Sequence, residues 1–571
     1  MELVDKMKIS PVDRFWRLLK PDSTEIKNVY TYAIFRGLVN LSMPLGIQAI
    51  INLIQGGRFS TSWVILVALV SGGIALTGLL QIYQLRIVEN LQQKIFARAA
   101  FEFAYRVPRI KMDQLYKRYA PELMNRFFDI INIQKGLSKI LIDFTAAALQ
   151  ITFGLALLSF YHPFFILFSF LLLIMLYLIF RFTAKKGLET SLQESTNKYA
   201  TAHWLEELAR TNTTFKLSGK TPLPLKRIDE NVNNYLKARE SHFKILMRQF
   251  SLMVGFKVLI TVGLLAIGGL LVMEQLMNIG QFVAAEIIIL LIMSSVESLI
   301  KSLETIYDVL TGLEKVGQVT DLELENRKGL DIEVECASDG MEIEIVDLSF
   351  TYPGRKEEIL SNLSLKIGRG ELIAVVGPSG SGKSTLMRIL SGLYDLNKGQ
   401  LIYDEINKES FSAESLRSAI GDNLSQEELF QGSVLENLTM GKDINLDTVR
   451  NVVRKVHLTD YINHLPKGFD TLLDPQGSGL AEGTVQKLLI ARAVINNPKL
   501  VVIEENMSAI DEEEKIAIIE FLASKENKWT AVIATKEEAI ISKADKVIEL
   551  REGQLSFNGS PAEYKKHINQ K

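Results

Sequence analysis

Six apolar runs of about membrane-spanning length fill residues 30–300 and leave this chain few folds to choose from. A bilayer core takes about 20 helical residues. Inside it every backbone polar group must find its partner within the protein. The first run is "YTYAIFRGLVNLSMPLGIQAIINLI", from Tyr30, and the second "WVILVALVSGGIALTGLLQIY", from Trp63. The third, "AAALQITFGLALLSFY" with its preceding turns, and the fourth, "FFILFSFLLLIMLYLIF", lie back to back. The fifth starts at Phe250 and the sixth at Gly280. The spacing predicts a six-helix transmembrane domain. Residues 1–29 are not a signal peptide, because no apolar stretch with a small-residue cleavage site follows the basic start. Phe15, Trp16, Leu18 and Leu19 alternate with Arg14, Arg17 and Lys20, which reads as an amphipathic helix on the membrane surface feeding the first span.

Loop charge sets the orientation. The joins between spans 1 and 2, 3 and 4, and 5 and 6 are short, with Arg58 their clear cation; the joins between spans 2 and 3 and between 4 and 5 are long and rich in Arg and Lys. Both termini and the long loops are therefore expected on the cytoplasmic side of a multi-pass protein of the cytoplasmic (inner) membrane. "NLQQKIFARAAFEFAYRV" and "LQESTNKYATAHWLEELART" are helical in pattern, so the spans should continue beyond the bilayer as stalks. Asp143 and Glu286 fall near span boundaries, where solvation accounts for them as well as a cavity does. Lys257, between Phe256 and Val258, is the better candidate for a cavity or an ion pair.

Near residues 325–340 the chain changes character. We take 1–29 as the amphipathic segment, 30–325 as the transmembrane domain, 326–339 as a linker and 340–571 as a soluble domain. The whole chain of 571 residues is too long for one core, and a mean hydropathy of +0.15 beside 23% charged residues fits this division. A net charge of −2 argues against nucleic acid as a partner. The one cysteine, Cys336, rules out an internal disulfide and a cysteine metal cluster.

The soluble part holds "GPSGSGKST": Gly377, Pro378, Ser379, Gly380, Ser381, Gly382, Lys383, Ser384 and Thr385. The apolar strand "LIAVV" precedes it and the helical pattern "LMRILSGL" follows. Glycines in such a loop let backbone N–H groups converge on phosphate, and the following helix N-terminus adds positive potential. Lys383 is placed to reach the outer phosphates of ATP or GTP, and the Ser384 hydroxyl to bind Mg²⁺. An α/β P-loop NTPase domain is expected.

Further stretches carry a family resemblance. "FTYP", "LSQEELFQGSVLENL", "GSGLAEGTVQKLLIARA" and "LVVIEENMSAID" follow in the order found in ATP-binding cassettes. Residues 340–571 thus resemble the nucleotide-binding domain of an ABC transporter, and the six preceding spans an ABC exporter half. The resemblance covers essentially the whole chain. It implies ATP and Mg²⁺ as ligands, with Tyr352 stacking on adenine, Gln426 touching Mg²⁺ and water, Glu504 supporting the metal and Glu505 as the base for water. It implies a second ABC half as partner within the lipid bilayer. "RVPRIKMDQLYKRYAPELMNRFFDI" and "EELARTNTTFKLSGK" resemble the cytoplasmic loops of the type I protein-secretion branch, the second of which couples to the cassette. That branch adds a periplasmic adaptor and an outer-membrane channel as partners where a cell has two membranes. No N-terminal peptidase-like domain is present in the sequence to process a leader.

Three motifs depart from the family pattern. Ala481, Glu482 and Thr484 stand where the signature Leu-Ser-Gly-Gly-Gln has Ser, Gly and Gln, while Gly483 is kept. Ala481 removes a hydroxyl donor. Glu482 would oppose the γ-phosphate of an ATP bound on the partner; two like charges about 4 Å apart near a protein surface repel by roughly 4 kcal/mol before relaxation. Lys536 replaces the switch His, and Glu504 replaces the Walker B Asp. In a homodimer Lys536 of one copy and Glu482 of the other face the same γ-phosphate and offset each other. The alternative is a degenerate half paired with a competent partner. The expected function is an ATP-driven exporter half moving a peptide, protein or amphipathic molecule. The rivals are a regulatory subunit that binds ATP without turnover and a structural membrane scaffold.

Overall fold

The computed structural model describes residues 9–55, 61–116, 118–332, 340–424, 428–505 and 507–569. Arg58, Cys336 and Gln426 lie outside the described residues. By its internal contacts the chain divides into two units. The first comprises Met1–Pro108 and Tyr119–Leu322; the second comprises Arg109–Arg118 and Glu323–Lys571.

The first unit is helical, and among the described residues six helical stretches are long and apolar enough to cross a membrane: Pro11–Gln55, Thr61–Arg109, Ala120–Ser159, Pro163–Arg210, Leu223–Met273 and Ile279–Thr320. The unbroken helix Thr61–Arg106 has 46 residues. At 1.5 Å per residue it is about 70 Å long, more than twice a bilayer core. The stalks expected from the loop pattern are thus continuations of the spans. Local chemistry fixes the helix starts. Asn278 and Gln281 form a reciprocal capping box at the head of Ile279–Thr320. The His162 ring accepts the Phe164 N–H, with Pro163 at the first helical position of Pro163–Arg210.

Helix crossings in this unit use small residues. A Cβ on Gly136 would run into Val309 Cγ2, and one on Gly154 would lie 2.8 Å from Ile292 Cγ1. Such contacts let two helix backbones approach closely; Gly154 and Ile292 lie inside the apolar runs, where lipid gives no hydrophobic drive to association. A buried polar group links three helices: the Gln249 amide nitrogen donates to Thr183 Oγ1 at 2.7 Å and to Tyr307 Oη at 3.1 Å. Lys257 forms an ion pair with Glu297, whose other oxygen accepts from Lys301 at 2.7 Å. The N-terminal helix Pro11–Leu19 packs on the end of the last span, where Arg14 makes two bonds to Asp321 at 2.8 and 2.5 Å.

The second unit is α/β. Its main sheet has six strands in the order Gln554–Gly559, Lys546–Arg551, Leu372–Val376, Thr530–Ala534, Leu500–Glu504, Ile420–Asn423. The first two pair antiparallel and the rest parallel. Leu372–Val376 and Thr530–Ala534 are buried at all five positions, as a parallel strand covered on both faces must be. A second, antiparallel sheet is built from Leu360–Ile367, Ile343–Phe350, Lys398–Tyr403 and the short Ile406–Asn407. Arg109–Arg118 joins this unit although it lies between two spans in sequence. Ile110 bridges Leu324, Lys111 N donates to Glu323 O at 3.0 Å, and Lys111 Nζ meets Glu323 Oε1 at 2.6 Å.

Candidate nucleotide site

In parallel sheets, ligands gather beyond the carboxyl ends of the strands. Three adjacent strands of this sheet end together. Leu372–Val376 runs into the loop Gly377–Gly382, Leu500–Glu504 delivers Glu504 and then Glu505, and Thr530–Ala534 delivers Thr535 and Lys536. The loop turns sharply: Gly380 and Gly382 have φ of +81° and +100°, a region closed to most side chains. The helix Lys383–Leu390 starts directly behind it.

The loop is shaped for an anion. Lys383 Nζ folds back onto the carbonyls of Gly377 and Pro378, at 2.8 and 2.9 Å. Burial and the nearby Lys536 push its pKa below the usual lysine value, against the pull of Glu504. Two cations held together in this way favour an incoming polyphosphate. The Ser381 hydroxyl, in a residue only 2% exposed, has no hydrogen-bond partner among the described residues. Space is open around Gly380, where an added Cβ would meet no atom within 4 Å. Ser384 is exposed in the first helical turn and Glu504 is half-buried at its strand end. A hydroxyl and a carboxylate beside a phosphate loop are hard oxygen donors that suit Mg²⁺.

Glu505 is held at three points. Its N–H donates to Ala534 O at 2.9 Å, its Oε1 accepts the Met507 N–H at 2.9 Å, and its Oε2 accepts the Thr535 hydroxyl at 3.1 Å. Thr535 is 3% exposed and also accepts the Glu537 N–H at 2.9 Å. This threonine was not visible in the sequence as a site residue. Its signal was its place directly before Lys536.

Tyr352 is 8% exposed. Its hydroxyl meets Thr385 Oγ1 at 3.2 Å and Arg388 Nη1 at 3.3 Å. The ring is stacked by Tyr116, with centroids 4.9 Å apart and planes 8° apart. Phe350 and Tyr394 meet it edge-on, at 5.0 and 5.4 Å.

Residues 481–484 form a helix start. Ala481 is the N-cap of Glu482–Val494 and offers no side-chain bond there. Glu482 is exposed in the first turn, where a carboxylate suits the helix dipole, and Gln486 donates weakly to it at 3.5 Å. A Cβ on Gly483 would run into the Ala509 carbonyl oxygen, so this glycine is required by the backbone that follows Glu505. Thr484 continues the turn through a backbone bond to Ala481 O at 2.9 Å.

Two family models match the chain: ABC transporter transmembrane region over residues 29–296, and ABC transporter over residues 360–508. The chain thus carries an ABC membrane region fused to an ABC cassette, the make-up of an exporter-type half-transporter. In sequence it is 32% identical over 296 residues to an uncharacterized ABC transporter ATP-binding protein, YfiC, of Bacillus subtilis, covering 52% of this chain and 49% of that protein. It is 29% identical over 297 residues to the alpha-hemolysin translocation ATP-binding protein of Escherichia coli (52% and 42%). With the ATP-dependent lipid A-core flippase of Haemophilus ducreyi it shares 32% over 213 residues (37% of each). The matches span about half the length of these relatives or less. In fold it is similar to a bacterial Atm1-family ABC exporter with ATP bound, with a TM-score of 0.80 over 96% of each chain at 18% identity.

Proposed function

We propose that the chain is an ATP-driven exporter half that works as a dimer in the cytoplasmic membrane, with its cassette and both termini on the cytoplasmic side. The observation that carries this reading is the fixed carboxylate of Glu505, held by Thr535 and the Met507 N–H beside the phosphate loop. A half that only bound ATP would have little use for a base so closely held. In this reading Gly377–Thr385 cradle the phosphates, Tyr352 takes adenine and Glu505 polarises the attacking water. Ser384, Gln426 and Glu504 hold Mg²⁺, which supplies charge neutralisation on the phosphate oxygens. Lys536 acts in place of the switch His, as a point charge on the γ-phosphate without an acceptor nitrogen.

We further propose a homodimer, in which Ala481, Glu482 and Gly483 of one copy close over the ATP of the other. Lys536 and Glu482 then oppose each other across one γ-phosphate. A thermodynamic cycle on ATP affinity with Glu482→Lys, Lys536→Glu and the double swap tests the pairing; absence of coupling refutes it. The cargo class is a peptide, protein or amphipathic molecule. The relatives named for alpha-hemolysin translocation and for a lipid A-core flippase support the two ends of that range. With a protein cargo, a periplasmic adaptor and an outer-membrane channel are the further partners.

The test is ATP turnover by the chain purified alone in lipid, beside Glu505→Gln. Turnover that depends on Glu505 supports the pump. Tight ATP binding without turnover refutes it and leaves a second reading, a regulatory half of a heterodimer, which the missing cap at Ala481 and the charge at Glu482 favour.

A further inference from the structure

Tyr352 has no ring face to offer a base while Tyr116 lies on it. An aromatic side chain presents roughly 200 Å². At 8% exposure, on the order of 15 Å² of Tyr352 is accessible, far less than one ring face. Thr385 and Arg388 hold its hydroxyl in place, and the rings packed against it restrict its plane. Phe350 and Tyr394, which press on it edge-on, are core residues at 1% and 5% exposure and have nowhere to go. Tyr116 is different. It is half-buried, and it caps the four-residue helix Met112–Leu115 in a segment anchored through Ile110 and Lys111. Among the rings around Tyr352 it is the one that can leave.

We propose that Tyr116 occupies the adenine position and competes with the base of ATP for Tyr352. This rests on the reading that Tyr352 takes adenine. Base binding and the Tyr116 stack are then mutually exclusive, so nucleotide occupancy frees the Tyr116 end of the 109–118 segment, while Ile110 and Lys111 keep their bonds to Leu324 and Glu323. The competition acts on the base alone. Lys383 and the phosphate loop bind the triphosphate tail whichever ring covers Tyr352.

The test uses the full chain in lipid, with Glu505→Gln to prevent turnover, and measures ATP and tripolyphosphate binding by calorimetry. An aromatic stack is worth about 0.5–1.5 kcal/mol, so removing the competitor should tighten ATP binding about 2- to 12-fold. Tyr116→Leu is expected to show that gain for ATP and none for tripolyphosphate, which has no base. Tyr116→Phe keeps the ring and is expected to bind ATP as the parent does. Unchanged or weaker ATP binding in Tyr116→Leu overturns the proposal, as does a parallel change in tripolyphosphate binding. Tyr352→Leu separates the two layers. If it leaves ATP affinity intact while tripolyphosphate still binds, the adenine reading of Tyr352 fails, whatever Tyr116 does.

Discussion

Replacing Thr535 with Val should slow ATP turnover without loosening ATP binding. The side chain keeps its shape and loses one hydroxyl. That hydroxyl donates to Glu505 Oε2 at 3.1 Å and accepts from Glu537 N at 2.9 Å. A hydrogen bond to a charged group contributes about 1.5–3 kcal/mol, and the carboxylate keeps one further donor, the Met507 N–H. If the lost bond only served to aim Glu505, its full value enters the activation barrier, roughly 10- to 150-fold in kcat. Displacing a catalytic group by about 1 Å costs a comparable factor. The Thr535 hydroxyl bonds Glu505 and the Glu537 N–H and not Lys383 or the phosphate loop, so the Kd for ATP should change less than about twofold. Thr535→Ser, which restores the hydroxyl, should recover most of the rate. The assay is steady-state ATP turnover in lipid, with ATP affinity measured separately in the absence of turnover. A Thr535→Val rate within twofold of the parent would show that Met507 N alone fixes Glu505, and the reasoning would fail.

Gly483→Ala should lower Tm and turnover together, because its methyl must displace the Ala509 carbonyl; overpacking of this kind costs about 1–3 kcal/mol, and an unchanged thermal melt would contradict it. Lys536→Ala should move the alkaline limit of ATP binding to higher pH. Lys383 has a depressed pKa through burial and Lys536, so as pH rises toward the usual lysine value of 10.5 it loses its proton early and phosphate affinity falls; removing Lys536 lets it stay charged longer. The sign for stability is opposite: the folded chain is penalised while Lys383 is charged and recovers between its folded pKa and 10.5, which a pH series of melts would register. Lys257→Met should be tolerated within about 1 kcal/mol, because Glu297 keeps Lys301, whereas Glu297→Ala strands two lysines and should melt lower; equal melts for the two variants would contradict this.

What the sequence made legible was local in the chain. Each span declared itself through its own composition, and the phosphate loop through nine consecutive residues between a strand and a helix. Glu504, Glu505 and Lys536 were legible through resemblance to ATP-binding cassettes, at or just past the ends of two apolar strands. The remaining features depend on partners far apart in sequence. Lys257 was marked as a candidate for pairing, but Glu297 lies 40 residues away on another helix and nothing local points to it. Tyr116 and Tyr352 are separated by more than two hundred residues, and their stack exists only because 109–118 is built into the second unit. Thr535 looks like any strand-end threonine until the neighbouring strand brings Glu505 beside it.

The altered residues bear on partner choice through charge alone. If two cassettes close over ATP as proposed, Lys536 adds one positive charge to the site that contains it, and Glu482 adds one negative charge to the opposite site. In a homodimer each ATP meets one of each, so the net charge around the γ-phosphate is that of a cassette with neutral residues at both places. Paired with a half that is neutral at both positions, one site gains the cation and the other the anion. The two sites would then differ by two charges close to a phosphate, where each charge counts for several kcal/mol before relaxation. Such a heterodimer should hold one ATP tightly and the other poorly. The homodimer should show two equal sites of ordinary affinity. Counting ATP bound per dimer at saturating and at limiting nucleotide separates the two: a single class of sites is expected for the homodimer, and two classes of widely different affinity would refute the pairing of Lys536 with Glu482.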